Sequence, residues 1–190
     1  MTGAEYGQYG SAMASSRHPL AHQSGALYQD VQPTSERDGL VRVLDIYRSE
    51  IVQRVGELTD AEAATQFLPA TSMTVGGIVK HLAWSEDSWF QGKMLGATVP
   101  EPWASAPMVE DPDWPFRSAC EDSVDELMGL YSAACERSRS ATTQFDSLDA
   151  LAARPSFGRG PVNLRWLLIH MVDETARHAG HIDLFLDARP

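Results

Sequence analysis

Only two cysteines occur in the 190 residues, too few for a disulfide framework. Cys120 and Cys135 are expected on one helix, roughly 22 Å apart at about 1.5 Å per residue, so they do not bridge each other. Both read as small residues of an apolar helix face in a reducing compartment. Long apolar runs are missing too: none approaches the roughly 20 residues of a membrane span, and the start lacks the basic-then-apolar layout of a secretory signal. A cytoplasmic location without a membrane partner is therefore expected. Basic residues are scarce, 15 Lys and Arg against 26 Asp and Glu, for a formal charge of −11. That sign repels phosphate backbones and anionic surfaces, so nucleic acid is excluded as an expected partner. Strand-like alternation and internal repeats are also absent.

Hydrophobic residues make up 43% of the chain, enough for one buried core without disulfide support. Residues 1–33 are rich in Gly, Ser, Ala and Gln and show no apolar period, which reads as a loosely ordered N-terminal arm. From Thr34 or Ser35, the residues Leu40, Val43, Leu44, Tyr47, Ile51 and Val55 recur at helical steps, with Glu36 and Asp38 in the first turn. Thr74 is placed to cap a second helix running to about Leu95. Five prolines between Gly96 and Phe116 exclude regular helix there, and Trp103 and Trp114 give that long connection apolar surface to rest on something. Ser118 with Glu121 reads as a capping box opening a third helix along Val124, Leu127, Met128, Tyr131, Cys135 and Ser138. Asn163 caps a last helix reaching about Asp187. The expected fold is all-α, an up-down four-helix bundle over residues 34–190 with a long irregular connection between helices two and three. Glu101 to Glu126 holds eight acidic residues and one basic residue, Arg117, and reads as a solvated acidic face.

Histidines stand at 18, 22, 81, 170, 178 and 181. The first two belong to the arm, three crowd the last helix, and His81 lies on the second. At about 100° per residue, Leu164, Leu167, Met171, His178, Ile182 and Phe185 share an arc roughly 60° wide, with Glu174 about 20° beyond its edge. A carboxylate near the core needs a cation or a proton, and an imidazole four residues further along is spaced to share a metal ion with it. Gly77, Ser85 and Ser88 are small neighbours that leave room beside His81. Two imidazoles and a carboxylate form a three-ligand site with open positions, as in metals that handle water or substrate. The plainer alternative is a hydrogen-bonded Glu–His pair with no ion. His170 and His181 remain open as outer groups, alternative ligands or surface residues.

The blocks Thr74-Val75-Gly76-Gly77-Ile78-Val79-Lys80-His81-Leu82-Ala83-Trp84-Ser85-Glu86-Asp87-Ser88-Trp89-Phe90, Asn163-Leu164-Arg165-Trp166-Leu167-Leu168-Ile169-His170-Met171 and Glu174-Thr175-Ala176-Arg177-His178-Ala179-Gly180-His181 resemble the DinB-like superfamily. More narrowly, they resemble its actinobacterial branch related to the mycothiol-dependent maleylpyruvate isomerases. The resemblance covers about residues 34–187. It implies a four-helix bundle holding one divalent metal, zinc or nickel, through a histidine of the second helix and two groups of the last. Many relatives carry histidine where Glu174 stands and the isomerase-like members carry glutamate, so His81, Glu174 and His178 match the latter. There the metal is thought to bind and activate the thiol of a small cofactor such as mycothiol. The isomerases have a further C-terminal domain with substrate-binding groups; this chain stops at Pro190, so maleylpyruvate isomerisation itself is not expected.

The expected function is thus a metal-dependent enzyme, a mycothiol-type thiol S-transferase acting on a small electrophile, with the low-molecular-weight thiol as cosubstrate. Metal-dependent hydrolysis is one alternative; a non-catalytic, stress-related metal-binding protein that docks through its acidic face is another. In the enzyme reading the Trp103–Trp114 segment covers the mouth of the site, and Arg165 or Arg177 meets an acidic group of the thiol. An exposed apolar strip on a bundle helix would allow a homodimer.

Overall fold

The computed structural model describes residues 34–156, 158 and 160–189; the arm expected over residues 1–33 lies outside the described residues. Helix α1 spans Glu36–Val55, started by Ser35, whose side chain accepts from the Asp38 N–H. A one-turn helix α2, Asp60–Ala63, follows behind a complete Thr59–Glu62 capping box. Thr74 caps α3, Val75–Glu86, by accepting from the Gly77 N–H at 3.0 Å. A short α4, Trp114–Ser118, and a tight turn at Ala119–Glu121 precede α5, Val124–Thr142. Asn163 caps the last helix, α6, Leu164–Asp187. Among the described residues no helix is long and apolar enough to cross a membrane.

The third long helix starts later than its sequence signal implies. Two Ser-x-x-Glu signatures overlap, at 118–121 and at 123–126, and the second one forms the capping box. Ser118 makes no capping bond, because Asp122 is extended (φ −99°, ψ 143°) and breaks the helical path. Val124, Leu127, Tyr131, Cys135 and Ser138 form the buried face, and Asp60 accepts from the Val124 N–H at 2.7 Å. Cys120 is therefore not on the helix of Cys135: it is exposed, whereas Cys135 is buried as expected.

Past Glu86, α3 widens into a π-helix over Asp87–Met94. Leu82, Glu86, Phe90 and Met94 are all buried and recur every four residues. In an ordinary α-helix such a series drifts by about 40° per step. Widening the turn cancels that drift and keeps Phe90 and Met94 on the inner face.

Two apolar clusters fill the bundle. One contains Ile51, Val55, Ile78, Leu82, Leu127, Tyr131, Ile182 and Phe185; the other contains Leu44, Phe90, Met94, Leu164, Leu167 and Met171. On every long helix a buried polar group separates them: Arg48 on α1, Glu86 and Asp87 at the end of α3, Ser138 on α5 and Thr175 on α6. The order of the clusters gives the direction of each helix. The chain reverses between α1 and α3 and again between α5 and α6, while the long connection carries it back along the bundle, so α3 and α5 run parallel. Arg137 on α5 accordingly meets Asp87, and Cys135 meets Glu86.

That connection is anchored from inside. Trp103 is 3% exposed and donates its indole N–H to Asp87 at 2.9 Å, and Arg137 closes the other side of the same carboxylate with two bonds of 2.8 Å. Trp103 packs against Trp84 and edge-on against Trp114, whose ring lies under the Lys80 ammonium. Trp103 is thus a core residue, not a cover over the mouth of a site, because its polar edge is needed by a buried carboxylate.

Candidate metal centre

His81, on the second turn of α3, faces α6, where Glu174 and His178 stand one turn apart. His81 Nε2 lies 2.9 Å from Glu174 Oε1, and His178 Nε2 lies 3.5 Å from the same oxygen. The two imidazole rings are 4.9 Å apart and tilted by 58°. One donor atom from each of the three residues falls within 4.8 Å of the other two. In a tetrahedral site, bonds of about 2.0–2.2 Å place two donors of one ion about 3.3–3.6 Å apart, so the cluster accepts a divalent ion after a shift of about 1 Å. The donor chemistry also fits, with two imidazoles and one anionic oxygen.

Glu174 is ionised in this setting. Hydrogen bonds from His178 and then His81 hold its carboxyl well below the usual glutamate range, against a smaller opposing effect of burial. His178 is nearly buried, while His81 and Glu174 each keep about a fifth of the side chain exposed. The centre is therefore partly open to solvent at His81 and Glu174.

The other two candidates on α6 separate. His181 Nδ1 lies 3.4 Å from His178 Nδ1 and braces that ring. Burial, then the charge of His178, lowers the His181 pKa. His170 stacks on Trp166 with centroids 5.0 Å apart and meets Trp89 edge-on, so its ring belongs to an aromatic group one turn away from Glu174. Arg165 is bound to Glu36 and Asp149 at the start of α6, and Arg177 pairs with Asp173 on the outer face. Their guanidiniums are engaged in these pairs and not turned into the centre.

Phe116 is the site residue that sequence reasoning missed. Its ring stacks on His81 at 4.6 Å with the planes 20° apart. The space that Gly77 was expected to leave beside His81 is filled by the Phe116 backbone: a Cβ at position 77 would stand 3.1 Å from the Phe116 carbonyl oxygen. An interior helix glycine costs about 1 kcal/mol relative to alanine, and that cost was the available signal of a close approach at this turn. Beside Phe116 opens a cleft of about 500 Å³, lined also by Ser72, Met73, Thr74, Asp113, Arg117 and Cys120.

The family described as mycothiol-S-transferase (MST) matches residues 39–186 of this chain. No curated protein matches it. Among solved structures, a conserved protein from Enterococcus faecalis is similar with a TM-score of 0.61 at 15% identity, covering 83% of this chain and 100% of that one. At that identity the likeness shows the fold alone.

Proposed function

Because the chain belongs to the mycothiol-S-transferase family, a DinB-like family, we propose that it is a metal-dependent enzyme that transfers a mycothiol-type thiol to a small electrophile. The observation that supports the metal dependence is the meeting of His81 and His178, from two helices, at 2.9 and 3.5 Å from one Glu174 oxygen. Those three residues would hold a divalent ion, zinc or nickel. A bound ion of this kind supplies a thiolate at neutral pH by lowering the pKa of a coordinated thiol.

The protein's own groups do the remaining work. Glu174 contributes one negative charge beside two imidazoles, so the donor set leaves part of a dication's charge for an incoming anionic sulfur. His81 and His178 come from separate, packed helices, which fixes the donors before any ligand arrives. Phe116 covers one face of His81 and keeps water from it. Transfer forms one S–C bond at the electrophile while the leaving group departs with its electron pair; the thiol proton passes to solvent.

Elemental analysis of the purified chain, followed by turnover assays of stripped and reloaded protein, tests this reading. Mycothiol and a chromogenic aryl halide serve as substrates. Stoichiometric metal and thiol-dependent turnover that disappears on stripping are expected. Metal-replete protein that neither binds nor turns over the thiol would overturn the proposal.

A further inference from the structure

The two imidazoles of the candidate centre are held in different ways. His178 has a neighbour at its second nitrogen, His181. Among the described residues, His81 has a hydrogen bond at Nε2, to Glu174, and none at Nδ1. Metal-ligating histidines ordinarily donate the second N–H to a carboxylate or carbonyl, which fixes both ring orientation and tautomer. Besides that bond and the tilted His178 ring, the His81 ring rests on the near-parallel face of Phe116.

Resting on the metal reading above, we infer that Phe116 is a positioning residue for His81: its stacked ring sets the imidazole plane so that Nε2 points at Glu174 and His178. The contact is built into the backbone. Position 77 lies one turn before His81, and a Cβ there would come within 3.1 Å and 3.2 Å of the Phe116 carbonyl oxygen and Cα. Neither of those atoms can swing aside as a side chain does. Pro115 is buried and Trp114 rests against Lys80, so α4 is pinned on α3 just before the stacked ring. Turning the imidazole about its Cβ–Cγ bond would require Phe116 to leave that surface.

Cobalt(II) titration of the metal-free full-length chain tests the inference, because ligand-field absorption reports donor geometry as well as affinity. The wild-type chain is expected to bind one cobalt ion. Phe116→Leu keeps apolar bulk without a ring face, and is expected to bind cobalt about 10- to 100-fold more weakly, with shifted bands and the helical circular dichroism retained. Phe116→Tyr restores both affinity and spectrum. Gly77→Ala leaves the phenyl ring but displaces its backbone, and weakens binding in the same direction. Wild-type affinity and spectrum in Phe116→Leu would overturn the inference, as would a tyrosine variant as weak as the leucine one. If the leucine variant does not fold, unchanged cobalt binding by Gly77→Ala overturns it alone. A wild-type chain that takes up no cobalt overturns the metal reading itself, and this inference with it.

Discussion

Arg48 and Glu86 face each other in the middle of the bundle as a two-pronged ion pair, with bonds of 2.7 and 2.6 Å between groups that are 3% and 0% exposed. The pair stands between the two apolar clusters, together with Asp87, Ser138 and Thr175. Polar groups at matching heights on four helices penalise any slip of one helix along another, because a slip leaves charge facing hydrocarbon.

Glu86→Ala strands the Arg48 charge in the interior and is expected to lower unfolding stability by about 3–5 kcal/mol. Replacing both partners with apolar residues of similar size, Arg48→Met with Glu86→Leu, is expected to cost much less. Urea unfolding of the two variants checks this. Equal losses would show that the pair's net attraction, not the stranded charge, dominates.

Metal-free protein should be acid-sensitive through Glu174. Hydrogen bonds from His178 and His81 depress this carboxyl below its ordinary value of 4.5. A depressed carboxylate adds stability that is fully present above the unfolded-state pKa and is lost as pH falls toward and through the folded one. The unfolding midpoint should therefore decline below about pH 4.5, and Glu174→Gln should flatten that part of the curve. Chemical denaturation from pH 7 to pH 3 provides the comparison.

His81→Ala is expected to abolish stoichiometric metal retention and thiol transfer while leaving the helical circular dichroism intact, because its side chain is about a fifth exposed and belongs to neither apolar cluster. His170→Ala is expected to keep its metal, since that ring stacks on Trp166. Metal content after dialysis separates the two variants.

The two thiols should differ sharply toward a disulfide reagent. Cys120 is exposed. Cys135 is 3% exposed, and burial, then the Glu86 charge, pushes its thiol up, which suppresses the thiolate that reacts. Native protein should consume one equivalent quickly and a second only in denaturant. Cys120→Ser should lose the fast phase.

Local signals carry most of the fold. The apolar steps through Leu44, Ile51 and Val55, and the caps at Ser35, Thr74 and Asn163, each act within a turn or two, and the structure follows them. The start of α5 is not decided locally, because two capping signatures compete and the one at Ser123–Glu126 completes its box after the extended Asp122. The Thr59–Glu62 box is equally local and caps a helix of a single turn. In the site, helical periodicity turned Glu174 and His178 toward the core, the small residues beside His81 marked it as a partner, and the resemblance matched the three to one ligand pattern. Phe116 was invisible because it reaches His81 through a backbone contact between segments about forty residues apart.

The broadened turns after Glu86 also set where this polypeptide can change length. Losing one residue between Gly77 and His81 would swing the imidazole by about 100° away from the glycine surface. Losing one between Ser88 and Lys93 would return an over-wide coil to ordinary pitch and leave His81 where it stands. That stretch is the bundle's slack, downstream of the residues whose alignment matters most.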